Sequence, residues 1–172
     1  ELCKQIIKLN PNSLILYEMS EFNLYKITKD LENKNIKIIS ILGSTTHKLK
    51  LDNTFKKYNI NTVYHAAAYK HVPLVESNSC SGAYNNILGT YYTLLSALKN
   101  NVDNFTLIST DKAVRPTNVM GATKRFCELI LQAYHESKNY STIISMVRFG
   151  NVLDSDGSVL PLFREQIKNG GP

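Results

Sequence analysis

No run of apolar residues in this 172-residue chain approaches the roughly 20 needed to cross a bilayer, and no secretory leader opens it. We therefore expect the chain itself to be soluble and cytoplasmic. Cysteine is scarce: Cys3, Cys80 and Cys127 are odd in number, widely spaced and without a CxxC or Cys/His ligand pattern. That argues for free thiols in a reducing compartment and predicts no metal site. Disorder is disfavoured too, because 43% of the residues are hydrophobic and only 20% charged. The net charge is +6 with a pI near 9.2, but the lysines are scattered through helices and loops. We read them as solvated surface rather than a nucleic-acid footprint, although a diphosphate-bearing ligand would benefit from the same field.

What is present is a strict alternation of helical and extended segments. The spacing predicts helices at 1–9, 22–33, 49–58, 120–137 and 160–168, with a broken helical stretch over 73–99. Short apolar strands are expected at 14–17, 37–41, 62–65, 105–108 and 142–148. Ser20 is a plausible N-cap, Leu51 and Phe55 share one helix face, and Cys127 lies among core-type residues. Such alternation implies an α/β, doubly wound parallel sheet with helices on both faces. A dinucleotide fold of this type begins with a strand and a glycine-rich turn. The chain has neither. We expect residues 1–172 to be a partial Rossmann-like domain lacking that first strand and loop, followed by the start of a substrate-binding part.

The run STDKAVRPTNVMGATKR, Ser109 to Arg125, carries the chemistry. It puts Ser109, Thr110, Asp111 and Lys112 at the end of a strand, where a parallel sheet presents its ligand crevice. Met120 and Lys124 then share a helix face at i and i+4. This is the YxxxK spacing of short-chain dehydrogenases with methionine in the tyrosine position. A thioether cannot exchange a proton as a phenol does, so that duty moves to Asp111 and Lys112. An ordinary charged surface turn would look the same from spacing alone.

Four ordered stretches sharpen this: HAAAYKHVPLVE, NNILGT, STDKAVRPTNVMGATKR and RFGNVLDSDGSVLPLF. Together they resemble the bacterial UDP-N-acetylglucosamine 4,6-dehydratases, extended short-chain dehydrogenase/reductase enzymes of surface-polysaccharide and glycan synthesis. Met120 is similar to the branch that retains configuration at the sugar C5. The resemblance implies a lyase that converts the UDP-sugar to a 4-keto-6-deoxy product through transient hydride transfer to NAD. It also implies upstream membrane helices tethering the complete protein to the cytoplasmic face of the inner membrane. We expect a homo-oligomer, and expect this chain alone to be inactive.

Site residues follow from residues and resemblance together. Thr110, or Ser109, would hydrogen-bond the C4 oxygen. Asp111 would pass a proton to the departing C6 hydroxyl and Lys112 would take the C5 proton, although the sequence does not decide which of the two meets which proton, and Lys124 would hold the nicotinamide ribose, with Met120 beside it. Glu18 stands where an acidic residue bonds an adenosine ribose, favouring NAD over NADP; a solvated helix-leading Glu is the alternative. Ala66, Ala67 and Ala68 would let backbone approach the cofactor, and Asn86, inside a helix, would need a partner and would support Lys124. Lys70, His71, Glu76, Asn151 and Ser158 are substrate-side candidates. Asp154 and Asp156 depart from the family's usual Gly and Ser. A sugar-nucleotide epimerase and a non-catalytic nucleotide-binding fragment are the competing functions.

Overall fold

The computed structural model describes residues 1–32, 36–137, 139–150 and 159–171, with side chains throughout except at 159–162. Asn151, Ser158, Asp154 and Asp156 lie outside the described residues. The expected elements all form, with ends shifted by one or two residues. Helices are α1 (Leu2–Ile7), α2 (Glu21–Leu31), α3 (Lys48–Tyr58), α4 (Val72–Ser77), α5 (Ser79–Ala83), α6 (Gly89–Lys99), α7 (Val119–Ser137) and α8 (Val159–Lys168). Strands are β1 (Ser13–Glu18), β2 (Lys37–Leu42), β3 (Thr62–His65), β4 (Asn104–Thr110) and β5 (Ile143–Phe149). Ser20 does cap α2, its hydroxyl accepting from the Asn23 N–H at 3.3 Å.

All pairings are parallel, in two blocks: β1 with β2, and β3, β4, β5 in that order. The doubly wound order 3-2-1-4-5-6 with its central strand removed leaves these same two blocks. Among the described residues, β1 and β3 therefore each have one ladder edge without a partner.

Alternation along β4 decides which side chains enter the core. Phe105, Leu107 and Ser109 are buried, while Thr106, Ile108 and Thr110 face the other way and are partly exposed. Phe105 and Leu107 pack with Leu51 and Phe55 of α3, Leu94, Ala97 and Leu98 of α6, and Cys127 and Leu131 of α7. Each fully buried large apolar side chain contributes roughly 1.5–3 kcal/mol. A smaller cluster of Leu16, Leu24 and Leu31 holds α1 and α2 to the first block.

The buried stripe of α7 is unusual in composition. At helical spacing it reads Met120, Thr123, Lys124, Cys127, Glu128 and Leu131, so two charged residues occupy positions that packing would give to apolar ones. The helix is anchored at its start by the Asn118 Oδ1, which accepts from the Gly121 N–H at 2.8 Å, and by Glu76, whose Oε2 accepts from the Val119 N–H at 2.9 Å. Gly121 is there for space: an added Cβ would strike the carbonyl oxygen of Lys112 and crowd Pro116. Gly121→Ala should therefore cost about 1–3 kcal/mol. A thermal unfolding midpoint equal to wild type would show that this approach is not tight.

Candidate active site

Because the strands are parallel, the last residues of each block's strands emerge on one edge: Glu18 and Leu42 from the first, His65, Thr110 and Phe149 from the second. Immediately after β4 the chain makes one 3-10 turn, Asp111–Ala113, capped by Thr110. Thr110 Oγ1 donates to Asp111 Oδ1 at 2.9 Å and Lys112 Nζ donates to the same oxygen at 3.1 Å. These two donors, Lys112 first, hold the Asp111 carboxyl below its ordinary range, so it is ionised at neutral pH. Its Oδ2 lies beside Gly150, 3.4 Å from where a Cβ there would sit, an ordinary van der Waals contact. The turn is thus wedged between the end of β5 and the first turn of α7. The link to α7 contains Arg115 at φ 50°, a left-handed conformation otherwise held here by Asn10, Asn59 and Asn101 among the non-glycine residues.

One turn into α7, Met120 and Lys124 are both buried. Burial pushes the Lys124 ammonium below its ordinary pKa, while Cys127 and Glu128 oppose that shift. Asn86 is fully buried beside them, inside a π-helical turn (Tyr84–Leu88). Wide turns of this kind occur often at functional positions. Its side-chain amide is saturated: Nδ2 donates to the Tyr69 carbonyl (3.1 Å) and to Thr123 Oγ1 (3.0 Å), and Oδ1 accepts from the Tyr69 N–H (2.7 Å) and from Asn85 Nδ2 (3.1 Å). One side chain thereby ties the loop after β3 to the residue next to Lys124. The backbone carbonyl of Asn86 is taken up by Thr90 Oγ1 and Cys127 Sγ.

His65 ends β3 and is buried, stacked on Phe105 at 6.1 Å between ring centroids. Its Nε2 is 3.0 Å from Thr90 Oγ1. Thr90 spends its only proton on the Asn86 carbonyl at 2.7 Å, so His65 must donate from Nε2. Burial, then the Lys124 charge, depress its pKa to about 3. An unfolded histidine titrates near 6.5, so this group's contribution is complete above that pH and is lost as pH falls toward 3. The loss is at most about 5 kcal/mol. Stability measured across that window should fall, and His65→Gln should flatten the slope; an unchanged slope would show that His65 is not the group responsible.

The remaining predicted residues divide by what they touch. Ser109 points to the core face and donates to Glu128 Oε1 at 2.6 Å, leaving Thr110 as the hydroxyl on the open side. Glu18 is half-buried at the end of β1, with Oε1 accepting from the Ser20 N–H at 2.8 Å. Ala66 and Ala67 are exposed and Ala68 half-buried, so core packing does not explain these small residues. Lys70 and His71 are exposed on the loop entering α4, and Glu76 serves the N-terminus of α7. Glu128, with Arg125 and Arg148, was not among the expected site residues. Its signal in the sequence is its place: a carboxylate on the α7 stripe, four residues beyond Lys124.

A dinucleotide fits part of this edge. Glu18 at the end of β1 suits an adenosine ribose, the exposed Ala66 and Ala67 leave room at the end of β3, and the buried Lys124 suits a ribose hydroxyl. No glycine-rich turn that would hold the pyrophosphate occurs among the described residues. Clusters of His, Cys, Asp and Glu able to hold a metal are absent from the described residues, as is any helix long and apolar enough to cross a membrane.

Residues 1–172 match the family model described as polysaccharide biosynthesis protein. The chain is 42% identical over its whole length to the capsular polysaccharide biosynthesis protein CapD of Staphylococcus aureus, covering 29% of that protein. It is 32% identical to a UDP-N-acetylglucosamine 4,6-dehydratase (inverting) from Campylobacter jejuni, over 93% of the chain and 47% of the relative. A UDP-glucose 4-epimerase from Rickettsia canadensis is 39% identical, over 79% of the chain and 40% of the relative. Among solved structures, Pen from Bacillus thuringiensis superposes with a TM-score of 0.89 at 32% identity, covering 97% of the chain and 51% of that protein. DesIV from Streptomyces venezuelae, a dTDP-glucose 4,6-dehydratase solved with NAD bound, has the same fold at a TM-score of 0.82 and 17% identity, over 98% of the chain and 58% of that protein. The chain thus spans between about a third and three fifths of these relatives. The α/β Rossmann-like fold, the parallel strands and these relatives agree: the chain belongs to the polysaccharide biosynthesis protein family, related to nucleotide-sugar 4,6-dehydratases and epimerases.

Proposed function

We propose that the protein containing this chain is a nucleotide-sugar 4,6-dehydratase acting on UDP-N-acetylglucosamine with NAD, and that it retains configuration at C5. The observation that carries this reading is the Thr110-Asp111-Lys112 turn, held by its own hydrogen bonds at the sheet's carboxyl edge and packed against a helix that offers Met120 where a phenol would otherwise stand. The proton of C5 is not acidic until C4 becomes a ketone, so oxidation must precede dehydration. A nicotinamide held beside Lys124 would supply the hydride acceptor and donor that this order requires.

The charge states of the turn suit this order. Asp111 starts as a carboxylate and can take the C4 hydroxyl proton while Thr110 Oγ1 hydrogen-bonds the forming carbonyl. Lys112 passes an ammonium proton to solvent to present a free amine. The free amine then takes the C5 proton as Asp111 gives its proton to the departing C6 hydroxyl. Lys112 delivers one of its ammonium protons to C5 when hydride arrives at C6, and a proton taken back from solvent then restores its charge beside the Asp111 carboxylate. Lys124 supplies positive charge and holds a ribose hydroxyl, while Met120 fills space without competing for protons. Glu18, Ala66, Ala67 and Ala68 would serve NAD, and Lys70 and His71 the UDP-sugar.

Epimerase chemistry is the second reading, favoured by the Rickettsia relative. Epimerisation leaves the mass of the sugar nucleotide unchanged, whereas dehydration removes one water. Mass spectrometry of UDP-N-acetylglucosamine incubated with NAD and the full-length protein decides between them. An isomer of unchanged mass would reject the dehydratase. Substrate turnover requiring NADP instead would reject the role given to Glu18.

A further inference from the structure

Glu128 has no part in the proton transfers above, yet it is fully buried and accepts four hydrogen bonds from three elements. Ser109 of β4 donates to Oε1 at 2.6 Å, Arg148 of β5 donates from Nε to Oε1 at 2.8 Å and from Nη2 to Oε2 at 2.6 Å, and Arg125 of α7 donates to Oε2 at 3.0 Å. Each donor lies next to the site: Ser109 precedes Thr110, Arg148 precedes Phe149 and Gly150, and Arg125 follows Lys124. We propose that Glu128 is a positioning residue that fixes the Lys124 turn of α7 against the ends of β4 and β5 and sets a buried negative charge one helical turn from Lys124. This rests on Lys124 being the site lysine of the proposed function.

Burial alone would expel a charge from such a place; an anion survives only when its oxygens are satisfied. Burial opposes the Glu128 charge, but hydrogen bonds from Arg148, Ser109 and Arg125 outweigh it and hold the pKa at about 2. Lys124, one turn earlier on the same stripe, is itself buried, with the uncharged His65 at the end of β3 and Cys127 of α7 near it. The other ionisable groups on elements packed against α7 are Asp111 and Lys112 of the 3-10 turn, Glu76 and His71 at α4, Cys80 of α5, Tyr84 of the π-helical turn, and Tyr91, Tyr92 and Lys99 of α6, all at least partly exposed. Among the described residues, Glu128 is therefore the buried carboxylate that shares the α7 stripe with this lysine.

The test measures the titration of Lys124 directly, by competitive labelling with acetic anhydride across pH and mass spectrometry of the peptide, in the full-length protein. Glu128→Gln should move the Lys124 titration to lower pH by about one pH unit. It should also lower kcat by about 100-fold with KM for the UDP-sugar nearly unchanged, as expected for misplaced groups. Glu128→Asp should recover part of both. Arg125→Gln leaves the carboxylate less compensated and should move the titration the other way. Unmoved titration in Glu128→Gln would overturn the proposal; should that variant fail to fold, an unmoved titration in Arg125→Gln would overturn it alone. The labelling result stands whichever reaction the protein performs, so failure of the dehydratase reading shows separately, as absence of the 4-keto product.

Discussion

Asp111→Asn in the full-length protein is expected to lower formation of the 4-keto product on the order of a thousandfold while NAD still binds. An amide keeps the size of the carboxylate and still accepts from Thr110 and Lys112, but it cannot take the C4 hydroxyl proton or hand one to the C6 hydroxyl. Because Asp111 and Lys112 are both at least partly open to solvent, their pairing contributes little to folding, and the melting temperature should barely move. The loss of activity would then be chemical rather than structural. Product formation at the wild-type rate would remove Asp111 from the mechanism.

Asn86→Ala should give the largest loss of stability. Truncation leaves the part-buried Tyr69 N–H and carbonyl without their side-chain partner, removes a donor from Thr123, whose hydroxyl still donates to the Met120 carbonyl, and opens a cavity at a fully buried position. Each unmatched buried group costs about 1–3 kcal/mol, so a total of about 4 kcal/mol is expected. For a domain of this size that is a fall of roughly 10 °C in Tm. Asn86→Asp should fare no better, since it sets a carboxylate oxygen against the Tyr69 carbonyl and the lone pairs of Thr123. Calorimetry on the two variants checks this. A change below 1 kcal/mol, of order RT and less than one lost bond is worth, would mean that the loop and helix are held together by other contacts.

Much of the fold was legible because its signals are local. Among the described residues the alternation of periods places the five strands and the helices outside 72–99, where one broken helical stretch resolves into α4, α5, a π-helical turn and α6, and Ser20 caps α2 as its residue type suggests. The two-block sheet is harder to read, since pairing is non-local and its order follows from connections rather than from strand sequences. In the candidate site, the stretch Thr110–Lys112 and the pair Met120 and Lys124 announce themselves by spacing. Ser109 does not: the same hydroxyl faces ligand or core according to strand parity, and here parity turns it to Glu128. Glu76 is similar, an exposed carboxylate by sequence whose oxygen is used by the first turn of α7. The Glu128 cluster stayed hidden because its partners come from β4, β5 and α7, which only the folded chain brings together. Asn86 shows the reverse, since an asparagine inside a helix already demanded a partner, and the structure supplies a full set.

The claim on which the mechanism depends is that a carboxylate and an amine from one turn handle the C4 and C5 protons of a bound hexose. Running the reaction in heavy water and reading the product by proton NMR tests it most directly. The account predicts a 4-keto-6-deoxy sugar carrying solvent deuterium at C5, with configuration there retained. A product that keeps its original C5 hydrogen, or an epimer that has lost no water, would contradict it.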